Sequence, residues 1–242
     1  MALTIPRMLP SGDAAITVDF GREISDESNR RVLALDRLLS SDALPGLRET
    51  VPTYRSLLVH YDPEQIGFDA LAEQLTRLSQ QPIESQARGQ RRWRIPVCYG
   101  GEHGIDLEDA AATLNTTADD LIERHTNGDY RVAMMGFTPG WSYLSGLDPS
   151  LAIPRRQAPR LLTPAGTISI GGVQTGIQCL PGPSGWHLLG RTPVRTYQLH
   201  REPIFLLKPG DAISFRKIDA KEFDERDRAA EAGEIVAELV SA

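Results

Sequence analysis

The chain has 242 residues, 40% hydrophobic and 24% charged, which suits one or two domains with a sizeable core and excludes a disordered chain. A net charge of −6 and a pI near 5.4 argue against a nucleic-acid-binding surface. No apolar run reaches the ~18–20 residues that cross a membrane, and Met1–Arg7 lacks the charged and apolar regions of a signal peptide, so a cytoplasmic protein is expected. Residues 14–20 alternate as a strand. Ser25-Asp26-Glu27 then caps a helix whose apolar face carries Val32, Leu35, Leu38 and Leu39, and Gly46 ends it. Strands are expected at 47–52 and 56–61, and Phe68, Leu71, Leu75 and Leu78 stripe a second helix. This order predicts a small α+β domain over 1–82, with helices on one face of an antiparallel sheet.

The polar, aperiodic stretch 83–91 reads as a linker. Trp93–Tyr99 resumes as a strand, and 106–114 and 118–125 form two short helices, the first started by Asp106 and the second by Thr117 with Asp120. Short strands are expected at 130–135, 165–170, 177–180, 187–189, 204–207 and 212–217. That spacing favours a closed β-barrel over 92–219, since closure removes exposed strand edges. The tail, 220–242, reads as an acidic helix with Ile235, Val236, Leu239 and Val240 near its end. Cys98 and Cys179 lie in apolar β-like runs and are expected to be buried reduced thiols.

Most catalytic signatures are missing from the sequence. No Gly-rich loop leads into Gly-Lys-Ser/Thr, no GxGxxG opens a Rossmann unit, and no histidine pair has metal-ligand spacing, so no metal site is expected. Gly182-Pro183-Ser184-Gly185-Trp186 lacks the second glycine of a nucleophile elbow. Instead, residues 134–197 hold ten glycines among arginines, hydroxyls and an amide, consistent with a rigid β-scaffold carrying a polar surface or with a barrel whose turns need glycine. Arg155, Arg156 and Arg160 offer forked donors for a carboxylate or phosphate, or simply solvate a Pro-rich corner. Gln174 and Thr175 occupy a glycine-flanked segment read as a turn whose groups face a ligand. Arg191 and Thr192, before Pro193, serve either a ligand or the corner. His125, at a helix end, reads as a capping imidazolium or a general base, and His187 as a packing residue. Phe137, Trp141, Tyr143 and Trp186 are candidates for an apolar binding surface, or for core.

The same stretch carries a resemblance. Met-Gly-Phe-Thr-Pro-Gly-Trp-Ser-Tyr-Leu from 135, Pro154-Arg155-Arg156, Pro164-Ala165-Gly166, Gln174-Thr175-Gly176-Ile177 and Gly185-Trp186 through Gly190-Arg191-Thr192-Pro193 resemble the family of 5-oxoprolinase B subunits, also known as KipI or allophanate hydrolase subunit 1. Ile95-Pro96-Val97-Cys98-Tyr99-Gly100-Gly101-Glu102, Gly12-Asp13-Ala14-Ala15 and Val51 through Val59 extend it over nearly the whole chain. Trp141 stands where the family more often has Phe.

The resemblance implies a cyclophilin-like barrel as the second domain. It also implies a role as the B subunit of an ATP-dependent 5-oxoprolinase, opening the 5-oxoproline lactam to glutamate together with an A and a C subunit. ATP, with magnesium, would be used by the assembled complex, and the isolated chain would be inactive. Gln174, Arg155, Arg156 and His125 are then the expected catalytic set. Arg160, Thr175, Arg191, Thr192, Phe137, Trp141, Tyr143 and Trp186 are expected to contact substrate or partner. Two other roles known in the family are inhibition of a sensor histidine kinase and service as the first half of a carboxyltransferase unit of the urea carboxylase type.

Overall fold

The computed structural model describes residues 2–41, 44–82 and 91–241, so most of the expected linker lies outside the described residues. The chain divides into two compact units, Met1–Arg88 and Gly89–Ala242. In the first, β1 (Ala2–Pro10), β2 (Ala15–Gly21), α1 (Asp26–Ser41), β3 (Leu47–Pro52), β4 (Ser56–Tyr61) and α2 (Phe68–Ser79) follow one another. The sheet is antiparallel, in the order β1-β2-β4-β3. Alternate residues Ile16, Val18 and Phe20 of β2 and Leu57, Val59 and Tyr61 of β4 meet Val32, Leu35, Leu39, Leu71 and Leu75 of the two helices in one core. Strand β1 was not expected. It pairs with β2 and places Arg7 against Asp19, which Arg55 also engages.

The first described residue of the second unit is Arg91, expected in the linker but ion-paired to the buried Asp211. Its strands are β5 (Arg92–Tyr99), β6 (Tyr130–Met135), β7 (Ser142–Ser145), β8 (Arg160–Thr163), β9 (Thr167–Gly171), β10 (Gln174–Ile177), β11 (Gly182–Ser184), β12 (His187–Arg191), β13 (Ala212–Ile218) and β14 (Glu238–Ser241). Seven of them close a mixed barrel in the order β12-β9-β10-β7-β6-β13-β5, with β5 returning to β12. Only β5 and β13 run parallel within it. Ile95, Val97, Val132, Leu144, Ile168, Ile177 and Phe215 fill the core. Helices α3 (Leu107–Thr113) and α4 (Ala118–Thr126) pack Ala110, Ala111, Leu121 and Ile122 with Ile153, Ile170 and Leu189. Strands β8 and β11 form a separate two-stranded ribbon.

Several expectations are corrected. The segment 204–207 is no strand and contributes one bridge, Tyr197 to Phe205. Strand β10 starts at Gln174 rather than 177, because Gly172 at φ +64 makes the turn two residues earlier. The tail is helical only as α5 (Ala220–Glu231); β14 then pairs with β5 at Arg92–Arg94, beside the stretch where β12 pairs with Cys98 and Tyr99. Both cysteines are buried free thiols, and burial pushes the Cys98 thiol up. No helix among the described residues is long and apolar enough to cross a membrane.

Candidate functional site

Strands β7, β10 and β9 lie side by side, and their register sorts the expected site residues between two faces. Tyr143, Gly176 and Ser169 are cross-strand partners and share one face, while Leu144, Thr175 and Ile170 share the other. The second face belongs to the interior. Thr175 is fully buried, as is His125 of α4. The Tyr99 hydroxyl donates to His125 Nδ1 at 2.8 Å, Nε2–H donates to Thr175 Oγ1 at 3.1 Å, and the Thr175 hydroxyl donates to the Ser169 carbonyl at 3.1 Å. Phe215 stacks on the imidazole at 4.8 Å. Burial lowers the His125 pKa to about 3, so the ring is neutral. His125 is therefore neither a capping imidazolium nor a general base within reach of a ligand: both nitrogens are held by barrel side chains.

The first face carries an aromatic cluster on a bed of glycine. A Cβ at Gly171 would stand 2.7 Å from the Trp186 indole, and one at Gly176 would stand 3.4 Å from Trp186 Cζ3 and 3.5 Å from Trp141 Nε1. The missing side chains let both indoles lie close to the strands. Trp186 meets Trp141 and Tyr143 at centroid distances of 6.0 Å each, Trp141 meets Tyr143 at 5.7 Å, and Phe137 meets Trp141 edge-on at 5.6 Å. Trp141 and Trp186 are buried, whereas Phe137 is 65% exposed at φ +69, a conformation strained for a residue with a side chain. Its loop, 135–140, and Phe205 border an open groove of about 510 Å³.

The polar groups of this face are few. Gln174, half-buried, begins β10 opposite Gly171, and its side chain makes no hydrogen bond among the described residues. The exposed Arg155 lies over Trp186 at 5.8 Å and has no ion pair among the described residues. Burial raises the Tyr143 hydroxyl pKa against the opposing pull of Arg155, which keeps it a neutral donor.

Arg156 and Arg160 do not join Arg155 as ligand-binding groups. Both turn to Asp106, 2% exposed, whose carboxylate accepts from Arg156 at 3.1 Å, from both Arg160 terminal nitrogens at 2.6 and 2.8 Å, and from the Leu188 amide at 2.9 Å. Asp106 stands at the N-terminus of α3 yet makes no capping bond with its side chain. The sequence offered Asp106 as a helix start and, with Leu107, as part of the family resemblance, but not as the partner of two arginines; pairing across fifty residues leaves no local mark. Arg191 donates to the Ala165 carbonyl at 3.1 Å and covers Phe223, and the buried Thr192 accepts from the Val194 amide. These two shape the corner before Pro193. The outer side of this face presents Arg155, Gln174, Tyr143 and Phe137, with Trp141 and Trp186 as their floor.

Known proteins share this arrangement of strands and sequence. The carboxyltransferase domain family, subdomain C and D, matches residues 6–207. The 5-oxoprolinase B subunit of Bacillus subtilis (strain 168) is 36% identical over 222 residues, covering 88% of this chain and 92% of its own. A solved structure of a conserved uncharacterized protein from Pyrococcus horikoshii is 41% identical, with a TM-score of 0.54 over 90% of this chain and all of the other. The Kluyveromyces lactis urea carboxylase, 19% identical, shares the fold over 98% of this chain with a TM-score of 0.76, and the match spans 24% of that larger protein. The chain belongs to the carboxyltransferase subdomain C and D family, among the 5-oxoprolinase B subunits.

Proposed function

We propose that this chain is the B subunit of a multi-subunit, ATP-dependent 5-oxoprolinase in the cytoplasm, acting with an A and a C subunit to open 5-oxoproline to glutamate. The observation that carries this reading is the near end-to-end similarity to the 5-oxoprolinase B subunit of Bacillus subtilis. A lactam amide is unreactive, and its opening requires charge to be stabilised on the ring oxygen by preorganised donors. On this chain the Arg155 guanidinium, the Gln174 amide and the neutral Tyr143 hydroxyl are the donors that the aromatic face offers for such a role. Phe137 and the groove beside it, lined by Met135, Pro139 and Phe205, supply apolar surface for the core of an interface with the companion C subunit.

ATP with magnesium is assigned to the assembled complex rather than to this face. Asp106 takes two of the three neighbouring arginines, and a single remaining guanidinium is a poor match for a triphosphate. Co-expression with the C subunit tests the assembly: one stable complex is expected, and two separate elution peaks at micromolar concentration would argue against it. The second role, half of a carboxyltransferase module, is favoured by the family name and by the urea carboxylase fold match. Biotin-dependent carboxyl transfer with a separate carrier, in place of glutamate release, would select it.

A further inference from the structure

His103 lies in the loop after β5 and is 7% exposed, packed beneath α5. Its ring meets Phe223 of α5 at 4.3 Å, and Phe223 is also buried against Cys98 of β5 and Ile218 of β13. Neither imidazole nitrogen has a hydrogen-bond partner among the described residues. Here the ring serves as an aromatic surface on which the helix sits. A charged imidazolium in the same place would need acceptors for two N–H groups, and burying it without them is costly.

We propose that His103 is an acid-sensitive latch, holding α5 and β14 on the barrel only while its imidazole is uncharged. The charged neighbours come from three elements. On its own loop, Glu102 Oε1 stands 3.9 Å from Nε2, but the Glu102 side chain is 87% exposed and its attraction is weakened by water. From β12, Arg191 opposes a second positive charge and covers Phe223 at 5.3 Å. From α5, Asp224 and Asp227 favour the charge, though Asp227 is already engaged by Arg195 at 2.7 Å. Nearby, the Cys98 thiol is neutral, its pKa raised by burial and by Asp219, Asp224 and Glu102. Burial outweighs these attractions and lowers the His103 pKa from its ordinary 6.5. The docked segment therefore keeps its full stability above that value and loses it as pH falls, because the released loop takes up a proton that the docked one resists. Release would also uncover β5 at Arg92–Arg94, where β14 pairs.

Hydrogen–deuterium exchange on the full chain tests this, with protection corrected for intrinsic rates and compared at about pH 7.5 and about pH 5. Protection of 220–241 should fall by up to roughly tenfold per pH unit below the free imidazole value, beyond any fall in β6 and β10. His103→Phe and His103→Gln, neither of which titrates there, should abolish this extra loss. His125 is unchanged in both variants, so its own acid response cancels. An equal loss in the variants, or none in the native chain, overturns the latch. The native chain also gives an answer alone, by NMR titration of its imidazoles. His103 should stay neutral below 6.5 while α5 is protected; its titration at that value with α5 protection unchanged would refute the proposal.

Discussion

Arg155, Arg156 and Arg160 look alike in the sequence, and the fold gives them different work. Arg156 and Arg160 neutralise Asp106, which is almost fully buried, while Arg155 remains exposed over Trp186. Removing the charge of a buried carboxylate strands its partners, so Asp106→Asn should destabilise the protein by about 3–5 kcal/mol. Arg155→Ala should change stability by no more than ~0.5 kcal/mol. It should nonetheless lower turnover of the assembled enzyme ten- to a hundredfold, equivalent to ~1.4–2.7 kcal/mol of transition-state binding. Melting temperature and turnover on the same preparations distinguish the two, and an Arg155 variant that loses activity only in proportion to folded protein would remove it from the site. His125 makes a separate prediction. Its folded pKa of about 3 lies below the ordinary 6.5, so its contribution is complete above 6.5 and is lost as pH falls toward 3. By pH ~5 the loss should reach about 2 kcal/mol. Denaturation of the native chain and of His125→Gln across this range measures it; parallel pH profiles would contradict the assignment. The residue types at the site were legible in the sequence, but their exposure was not, because Asp106 and Thr175 meet their partners only through the fold.

At the scale of elements, the aromatic face depends on two strands that give up side chains where the indole rings lie. Gly171→Ala would put a methyl 2.7 Å from the Trp186 ring and should cost about 1–3 kcal/mol while altering tryptophan fluorescence. The adjacent Gly172→Ala has open space around it but φ +64, and should cost about 1–2 kcal/mol of backbone strain with the fluorescence unchanged. Identical fluorescence in the two variants would mean that Trp186 does not lie across Gly171. The longer elements were readable from alternation and helical stripes, as in β4, β6 and α2. The shortest were not. Strands β7, β8 and β11 span three or four residues, too few to show a period, and a turn displaced by two residues moved Gln174 from a loop onto β10. Strand β14 follows α5 so closely that its apolar residues read as a continuation of the helix.

For the whole molecule, the division into an α+β unit and a barrel follows from a change in pattern along the chain, from long amphipathic elements to short strands punctuated by glycine and proline. Closure follows less directly. Parallel pairing of β5 with β13 joins residues about 120 apart, and no local pattern announces such a partner. Family membership was legible because motifs such as Pro154-Arg155-Arg156 and Gln174-Thr175-Gly176 are specific, although only part of each motif reaches the exposed face. Everything proposed for the aromatic face rests on this fold working as one component of a 5-oxoprolinase. The direct measurement is ATP-dependent release of glutamate from 5-oxoproline by the purified chain, alone and combined with its A and C subunits. No release is expected from the chain alone, and sustained release from the three together; full turnover by the isolated chain, or none by the assembled complex, would refute the assignment.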